Sequence, residues 1–423
     1  MLHGPGLAAG LVFAAGLVLW GLTSARLTRW NVTAPVAFVA LGLVSVNVLG
    51  IVHVDVSSST VREIAEFALA LVLFSDAARV NLHDLRRDAL IPGRLLGIGL
   101  PLTIGLGIAA ALICFGRLDA WLAAVIGAAL APTDAALGAI VVDDARVPSR
   151  IRRALNVESG LNDGLVTPVV TFTTVGAVET IDAIVREHVG HAFVELACGV
   201  AFGAVVGLAG GWLLRREERV GWASASFLPI AIVGLALVAF LGAREIDVNG
   251  FIAAFVGGLA FGAIGRDTPE RTQQSMRFVA LGGELLSLLL WFLFGALLVK
   301  VLDAAPIGIV LYAFLSLTVV RMVPVALSLI GSRLHTSSVL FVDWFGPRGL
   351  ASVVFGLLAF DALPRADGST VLGAVAATVL ASVVLHGISA GPLSAWYSRQ
   401  AAALADDRPE RISVPTLPSR RLG

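Results

Sequence analysis

Residues Gly127–Val170 read GAALAPTDAALGAIVVDDARVPSRIRRALNVESGLNDGLVTPVV. Thr133, Asp134, Glu158, Ser159, Asn162 and Asp163 stand here, in two segments otherwise apolar enough to cross a membrane. An ionisable side chain at the bilayer centre costs about 2.5–3.5 kcal/mol on insertion scales. Three carboxylates in two adjacent spans therefore point to a task rather than to packing. The reading that fits them is a site for a cation and a proton, with the rest of the chain as its support.

The composition agrees. The chain has 423 residues, 57% hydrophobic and 14% charged, where a soluble domain carries about 25% charged residues. That excludes an ordinary soluble enzyme and predicts an all-α polytopic membrane protein. The net charge of zero argues against a nucleic-acid partner. The 45 glycines suit close helix approach and broken helices in lipid. Cys114 and Cys198 lie in apolar stretches and read as packed thiols. No Lys or Arg precedes the first apolar run, so it lacks the basic region of a signal peptide and is expected to be retained.

Thirteen apolar segments are long enough to span, near 7–24, 34–52, 62–80, 91–115, 119–142, 152–178, 190–213, 225–242, 249–264, 276–301, 306–330, 338–361 and 371–395. Short polar punctuation separates them, and the tail after Tyr397 reads as disordered. Alternate connections, starting after the first span and including the tail, hold 22 basic residues; the others hold 6. By the positive-inside rule the C-terminus is cytoplasmic and the N-terminus outside, in the cell membrane. The two remaining basic residues, Arg321 and Arg348, fall inside spans.

An odd number of spans permits two six-helix repeats of opposite orientation joined by the seventh, the plan of many secondary transporters. The fifth span of the first repeat contains Ala131-Pro132-Thr133-Asp134, and the fifth of the second contains Phe345-Gly346-Pro347-Arg348-Gly349. Both join proline to a charge. Proline removes a backbone donor, so spans 5 and 12 are expected to unwind there and to cross. The freed carbonyls can hold a cation, and the half-helix ends add partial charges. In span 6, at about 100° per residue, Ser159 and Asp163 share a face while Glu158 lies about 140° from Asp163. Asp163 and Ser159 can face broken span 5, and Glu158 can reach an arginine. For Asn162, an interhelical hydrogen bond and direct ion contact are both open.

These residues together resemble the NhaP-type sodium/proton antiporters of cation:proton antiporter family 1, relatives of the eukaryotic sodium/proton exchangers. The resemblance runs to about Ser398 and rests on Thr133-Asp134, on Glu158-Ser159 followed by Asn162-Asp163, on Arg321 in Val320-Arg321-Met322-Val323-Pro324, and on Phe345-Gly346-Pro347-Arg348-Gly349-Leu350. Ala135 stands where the family often has proline, and Gly160 where it often has a larger residue. The resemblance implies electroneutral exchange of one monovalent cation, Na+ first and K+ as the alternative, for one proton. Asp163 would bind either ligand. Glu158, Ser159 and Thr133 would complete the Na+ site, with Asp134 nearby or acting through water. Asn162 would be the neutral partner of electroneutral exchange, Arg321 the partner of Glu158, and Arg348 a charge balancing the second broken helix. No catalytic residue and no resident cofactor are implied.

A homodimer is implied too. Its dimerisation parts are residues 1–89 and 179–303, the moving transport core is 90–178 and 304–398, and 399–423 form a cytoplasmic tail. Glu66, Asp76, Glu195, Glu284 and Asp343 read as bystanders, some of them at interfaces or in water-filled approaches. His386 reads as a hydrogen-bonded packing residue, and Asp143-Asp144 with Arg146, Arg150, Arg152 and Arg153 as a solvated loop. A channel or a transporter-like sensor is the rival of another class. A channel needs no protonatable site that must be either occupied or neutral, and a transporter-like sensor usually adds a soluble output domain. An enzyme is disfavoured, because no HExxH, clustered Cys/His or phosphate loop occurs.

Overall fold

The computed structural model describes residues 5–52, 59–80, 89–134, 136–179, 185–224, 226–264, 269–303, 306–405, 407–412 and 414. Ala135, Arg86, Arg87, Arg266 and the end of the tail, which enter the sequence reading, lie outside them, as do the side chains of Arg186, Arg271 and Arg277. Among the described residues all regular structure is helical. The helices are α1 (Pro5–Arg29), α2 (Ala34–Asn47), α3 (Ser59–Arg79), α4 (Leu90–Phe115, with a π turn at Leu95–Gly99), α5 (Ala120–Ala129 and Ala139–Val142), α6 (Ser149–Glu179) and α7 (Val185–Val220). They continue as α8 (Leu228–Glu245), α9 (Gly250–Ile264), α10 (Pro269–Leu302), α11 (Ile307–Leu317 and Val319–Ser328), α12 (Thr336–Trp344 and Leu350–Ala362) and α13 (Arg365–Ala402).

By length and composition alone, seven of the described helices can cross a membrane: α1, α4, α7, α8, α10, α11 and α13. The segments α2, α9 and the apolar halves Ala120–Ala129 and Leu350–Ala362 are shorter. Charged side chains lower the hydropathy of α3 and α6, and the breaks shorten α5 and α12, for the reason that makes these four helices interesting. Helices α2, α3, α7, α8, α9 and α10 pack largely on one another; so do α4, α5, α6, α11, α12 and α13. Small residues carry the closest approaches. A side chain at Gly42 would strike the Phe292 carbonyl, and one at Gly295 the Val39 carbonyl, so α2 and α10 meet backbone to backbone.

At the start of α3, Glu66 is buried and paired with Arg62 and with Arg244 of α8, while Arg62 also pairs with Asp361 at the end of α12. The last pair ties one helix set to the other. Glu66 is thus a structural charge, as the sequence suggests.

Three expectations change. The tail is ordered as far as it is described. Helix α13 continues to Ala402, and a 3-10 turn at Pro409–Arg411 folds back on the bundle. Glu410 is 2% exposed and accepts from the His335 N–H (2.6 Å) and Ser338 Oγ (2.7 Å) at the start of α12. Arg411 donates to the Ala402 carbonyl at the end of α13 (2.9 Å), and Val414 N–H to Ser149 Oγ at the start of α6 (3.1 Å). Composition suggested disorder because the partners of Glu410 and Arg411 are helix ends, which no local pattern reveals.

The basic loop is likewise more structural than solvated. Arg152 caps the Val147 carbonyl (2.9 Å) and Arg153 is buried. Partial burial pushes the Asp144 carboxyl up, but hydrogen bonds from Arg146 and its charge outweigh that and hold it below the ordinary value. Finally, Cys114 is half-buried but Cys198 is exposed, on a face of α7 that also carries Val194, Val205 and Trp212. A small apolar thiol suits such a surface in lipid.

Candidate functional site

The α5 break follows from Pro132, and the one in α12 from Pro347 between two glycines. Each break uses its charged residue on the other helix. Asp134 donates its N–H to the Pro347 carbonyl (2.7 Å). Its Oδ1 accepts from the N–H groups of Ala136 (2.6 Å) and Leu137 (3.1 Å), leading into the second half of α5. Its Oδ2 accepts from Leu350 N–H (2.9 Å), the first residue of the second half of α12. One carboxylate thus holds the turn that leads into the second half of α5 and the first N–H of the second half of α12, where partial positive charge gathers. Any side chain at Gly349 would occupy the space of that carboxylate.

Arg348 is fully buried and does the converse. Its Nη1 donates to the Ala131 (2.5 Å) and Pro132 (3.2 Å) carbonyls, where the first half of α5 ends. The sequence had this arginine balance its own broken helix; the guanidinium serves the partner helix instead. Ser382 Oγ of α13 accepts the Arg348 N–H (2.7 Å). Two carbonyls that sequence reasoning offered to a cation are therefore held by Arg348.

Helix α6 supplies the rest. Thr133 Oγ1 lies 2.9 Å from Ser159 Oγ and accepts from Asn162 Nδ2 (2.7 Å). The hydrogen bond foreseen for Asn162 exists, and its Oδ1 is buried without a hydrogen-bond partner. Asp163, one turn beyond Ser159, is 8% exposed, as is Ser159. Glu158 turns away, as the helical wheel demands, to a two-point pair with Arg321 of α11: Nη1–Oε1 2.5 Å and Nη2–Oε2 3.0 Å. Thr133, Ser159 and Asn162 are thus in direct contact, Glu158 is joined to Arg321, and Asp134 is joined to the α12 break.

Three acids read as bystanders lie near the site. Asp76 of α3 and Glu284 of α10 line a cavity of about 610 Å³ with Trp20, Ser24, Arg79 and Ala136. It reaches the α5 break two residues from Asp134. Asp343, at the end of the first half of α12, is 2% exposed beside the Arg321–Glu158 pair. No periodicity flags Asp76 and Glu284, because the elements that gather them are remote in sequence, whereas Asp343 stands two residues before the α12 break. His386 is the packing residue expected, with Nδ1 on the Ser382 carbonyl (3.0 Å), Nε2 on the Trp344 carbonyl (2.9 Å) and its ring stacked on Trp344.

The sequence and the fold both have known relatives. The family described as sodium/hydrogen exchanger, transmembrane, matches residues 12–396. The Na(+)/H(+) antiporter NhaP of Pseudomonas aeruginosa is 30% identical over 351 residues, covering 77% of this chain and 78% of that protein. The K(+)/H(+) antiporter NhaP2 of Shewanella sp. strain ANA-3 is 26% identical over 85% of this chain; the match spans 61% of that relative's length. In fold, the sodium proton antiporter MjNhaP1 of Methanocaldococcus jannaschii superposes with a TM-score of 0.73 at 19% identity, over 92% of this chain and 97% of that one. With a family match over nearly its whole length, on a crossing of two broken helices that carries the expected acids, the chain belongs to the sodium/hydrogen exchanger transmembrane family.

Proposed function

We propose that the protein exchanges a monovalent cation for a proton across a membrane by alternating access, with both ligands competing at Asp163. The observation that carries this reading is the contact of Thr133, Ser159 and Asn162 at the α5 break, one helical turn from Asp163 and next to Glu158, in an otherwise apolar bundle. A desolvated carboxylate is neutralised by a proton or by a cation, and either suffices. Asp163, Ser159, Thr133 and Glu158 are the proposed Na+ contacts. Asn162 Oδ1 is a further available oxygen. Asp134 acts through the broken-helix backbone it holds, because backbone donors occupy both its oxygens.

The division into a moving core (90–178 and 304–398) and a dimerising part (1–89 and 179–303) follows the two sets of helices that pack on themselves. A homodimer of thirteen-span subunits in the cell membrane, with its C-terminus cytoplasmic, is part of the same proposal. The cavity bordered by Asp76 and Glu284 is its aqueous approach.

Na+ is the first candidate because the Pseudomonas relative, 78% of whose length this chain covers, is named a Na(+)/H(+) antiporter. K+ is the second, from the names of the Shewanella relatives. The test adds Na+, K+ or Li+ to proteoliposomes while internal pH is followed. The expected result is proton movement opposite to Na+, lost in Asp163→Ala while the protein still folds. Near-normal exchange in that variant would remove Asp163 from the centre. A current without proton movement would make the protein a channel, and neither response would make it a sensor.

A further inference from the structure

Arg321 is bonded to one carboxylate, Glu158, and its charge attracts a second, Asp343. Its Nη1 and Nη2 are both taken by Glu158, and its Nε is buried without a hydrogen-bond partner. Asp343 lies in the last turn of the first half of α12, and its Oδ1 is likewise buried without a partner. Of the charges around Asp343, Arg321 attracts it and Glu158 repels it. Gly346, three residues on, lies so close to the Arg321 guanidinium that a side chain there would overlap Nε. The α12 break is therefore the wall on which the Nε edge of the guanidinium rests. A carboxylate at the C-terminal end of a half-helix meets the unfavourable end of the dipole. Burial adds to that cost unless a cation answers it, and Arg321 is the cation that attracts it.

A guanidinium has two edges that can each take a carboxylate: Nη1 with Nη2, and Nε with its neighbouring Nη. A lysine ammonium has no such second edge. We propose that Asp343 is a positioning residue for the exchange: it is the alternative partner of Arg321, and it lets Glu158 trade the guanidinium for the transported cation. In the present arrangement Arg321 holds Glu158. When a cation enters beside Asp163 and draws Glu158 to it, Arg321 turns its Nε edge to Asp343, and no charge is left buried alone. The inference rests on the antiport reading and adds to it how Glu158 becomes available.

The test compares the parent with Asp343→Asn and Asp343→Glu in proteoliposomes, reading KM for Na+ and kcat of exchange, with thermal stability in detergent alongside. Asp343→Asn is expected to raise KM five- to tenfold with kcat within about twofold and the melting temperature held, and Asp343→Glu to restore KM. The same Asn substitution in an Arg321→Lys background, where the second edge is absent, is expected to leave KM where Arg321→Lys alone puts it. An unchanged KM in Asp343→Asn overturns the proposal. So does a raised KM with a matching loss of melting temperature and no restoration by Glu, which would mark a structural role. An equal further rise in the lysine background overturns it as well, because Asp343 would then act on the cation through its charge alone. If the parent moves no protons against any cation, the antiport reading fails first, an outcome separate from all of these.

Discussion

The Glu158–Arg321 pair allows a quantitative prediction. Both side chains are at most 5% exposed, and the contact has two points. Removing one partner of a buried pair costs about 3–5 kcal/mol, mainly because the other charge is left unanswered. For a chain of this length, scaled at about 2.1 cal/mol/K per residue, the unfolding entropy is near 0.9 kcal/mol/K. Arg321→Met should therefore lower the melting temperature in detergent by about 3–6 °C. Glu158→Gln should lower it less, because Asp343 remains near Arg321 as a second carboxylate, whereas Arg321→Met leaves two acids without their cation. The double variant leaves Asp343 alone and should recover a substantial part of the summed loss, a coupling of about 2 kcal/mol or more. The assay is a thermal melt of the four purified proteins at low salt. Additive losses would refute the reasoning, and so would a larger loss in Glu158→Gln than in Arg321→Met.

Four further outcomes follow from the geometry. Gly349→Ala puts a methyl group into the Asp134 carboxylate and should cut exchange at least tenfold; Gly160→Ala meets nothing within 4 Å and should leave flux unchanged in the same assay. Asp134→Asn replaces one acceptor with a donor that faces a backbone N–H, so it should cost about 1–3 kcal/mol, read as a fall in melting temperature. Asp134, Glu158 and Asp163 against Arg321 and Arg348 are together one positive charge short, which one Na+ or one H+ supplies while Asp343 keeps one protonation state through the cycle. Sodium-driven proton flux should therefore ignore a voltage clamped with a potassium gradient and valinomycin; if flux follows voltage, another acid such as Asp343 or Glu284 titrates. Arg62→Glu sets like charges against Asp361 and Glu66, and should raise labelling of a cysteine placed at Leu357, in a chain without native cysteines; adding Asp361→Arg should reverse the gain.

Much of this was legible in the chain. Asp134 and Asp163 stand out because charge is rare in apolar segments. Pro132 and Pro347 mark their breaks because proline cannot donate, and the angle between Ser159 and Glu158 sends one toward Thr133 and the other toward Arg321. What stayed hidden depends on elements meeting across the fold. Arg348 could be recognised as a buried charge, but nothing local says that it reaches the Ala131 carbonyl rather than its own helix. Asp134 reads as a nearby or water-mediated contact, and nothing local says that its Oδ2 accepts the Leu350 N–H of the other broken helix. Asp76 and Glu284 look incidental until α3 and α10 enclose the same cavity. Glu410 sits in a segment whose composition says disorder, and only the His335 N–H and Ser338 hydroxyl at the start of α12 give it a place.

The docked tail sets an order in time. His335, at the start of α12, receives its acceptor from Glu410, 75 residues later. At about 5–20 residues per second, synthesis takes roughly 4–15 s to cover that distance. Through that interval the helix that carries Arg348 is already made while its first turn still lacks its acceptor, and Ser149 at the start of α6 waits for Val414 as well. Residues 410–414, made after every residue of the cation site, thus close both helices of the site at one end, so a chain cut short before Glu410 would keep the whole cation site and still lack that fastening.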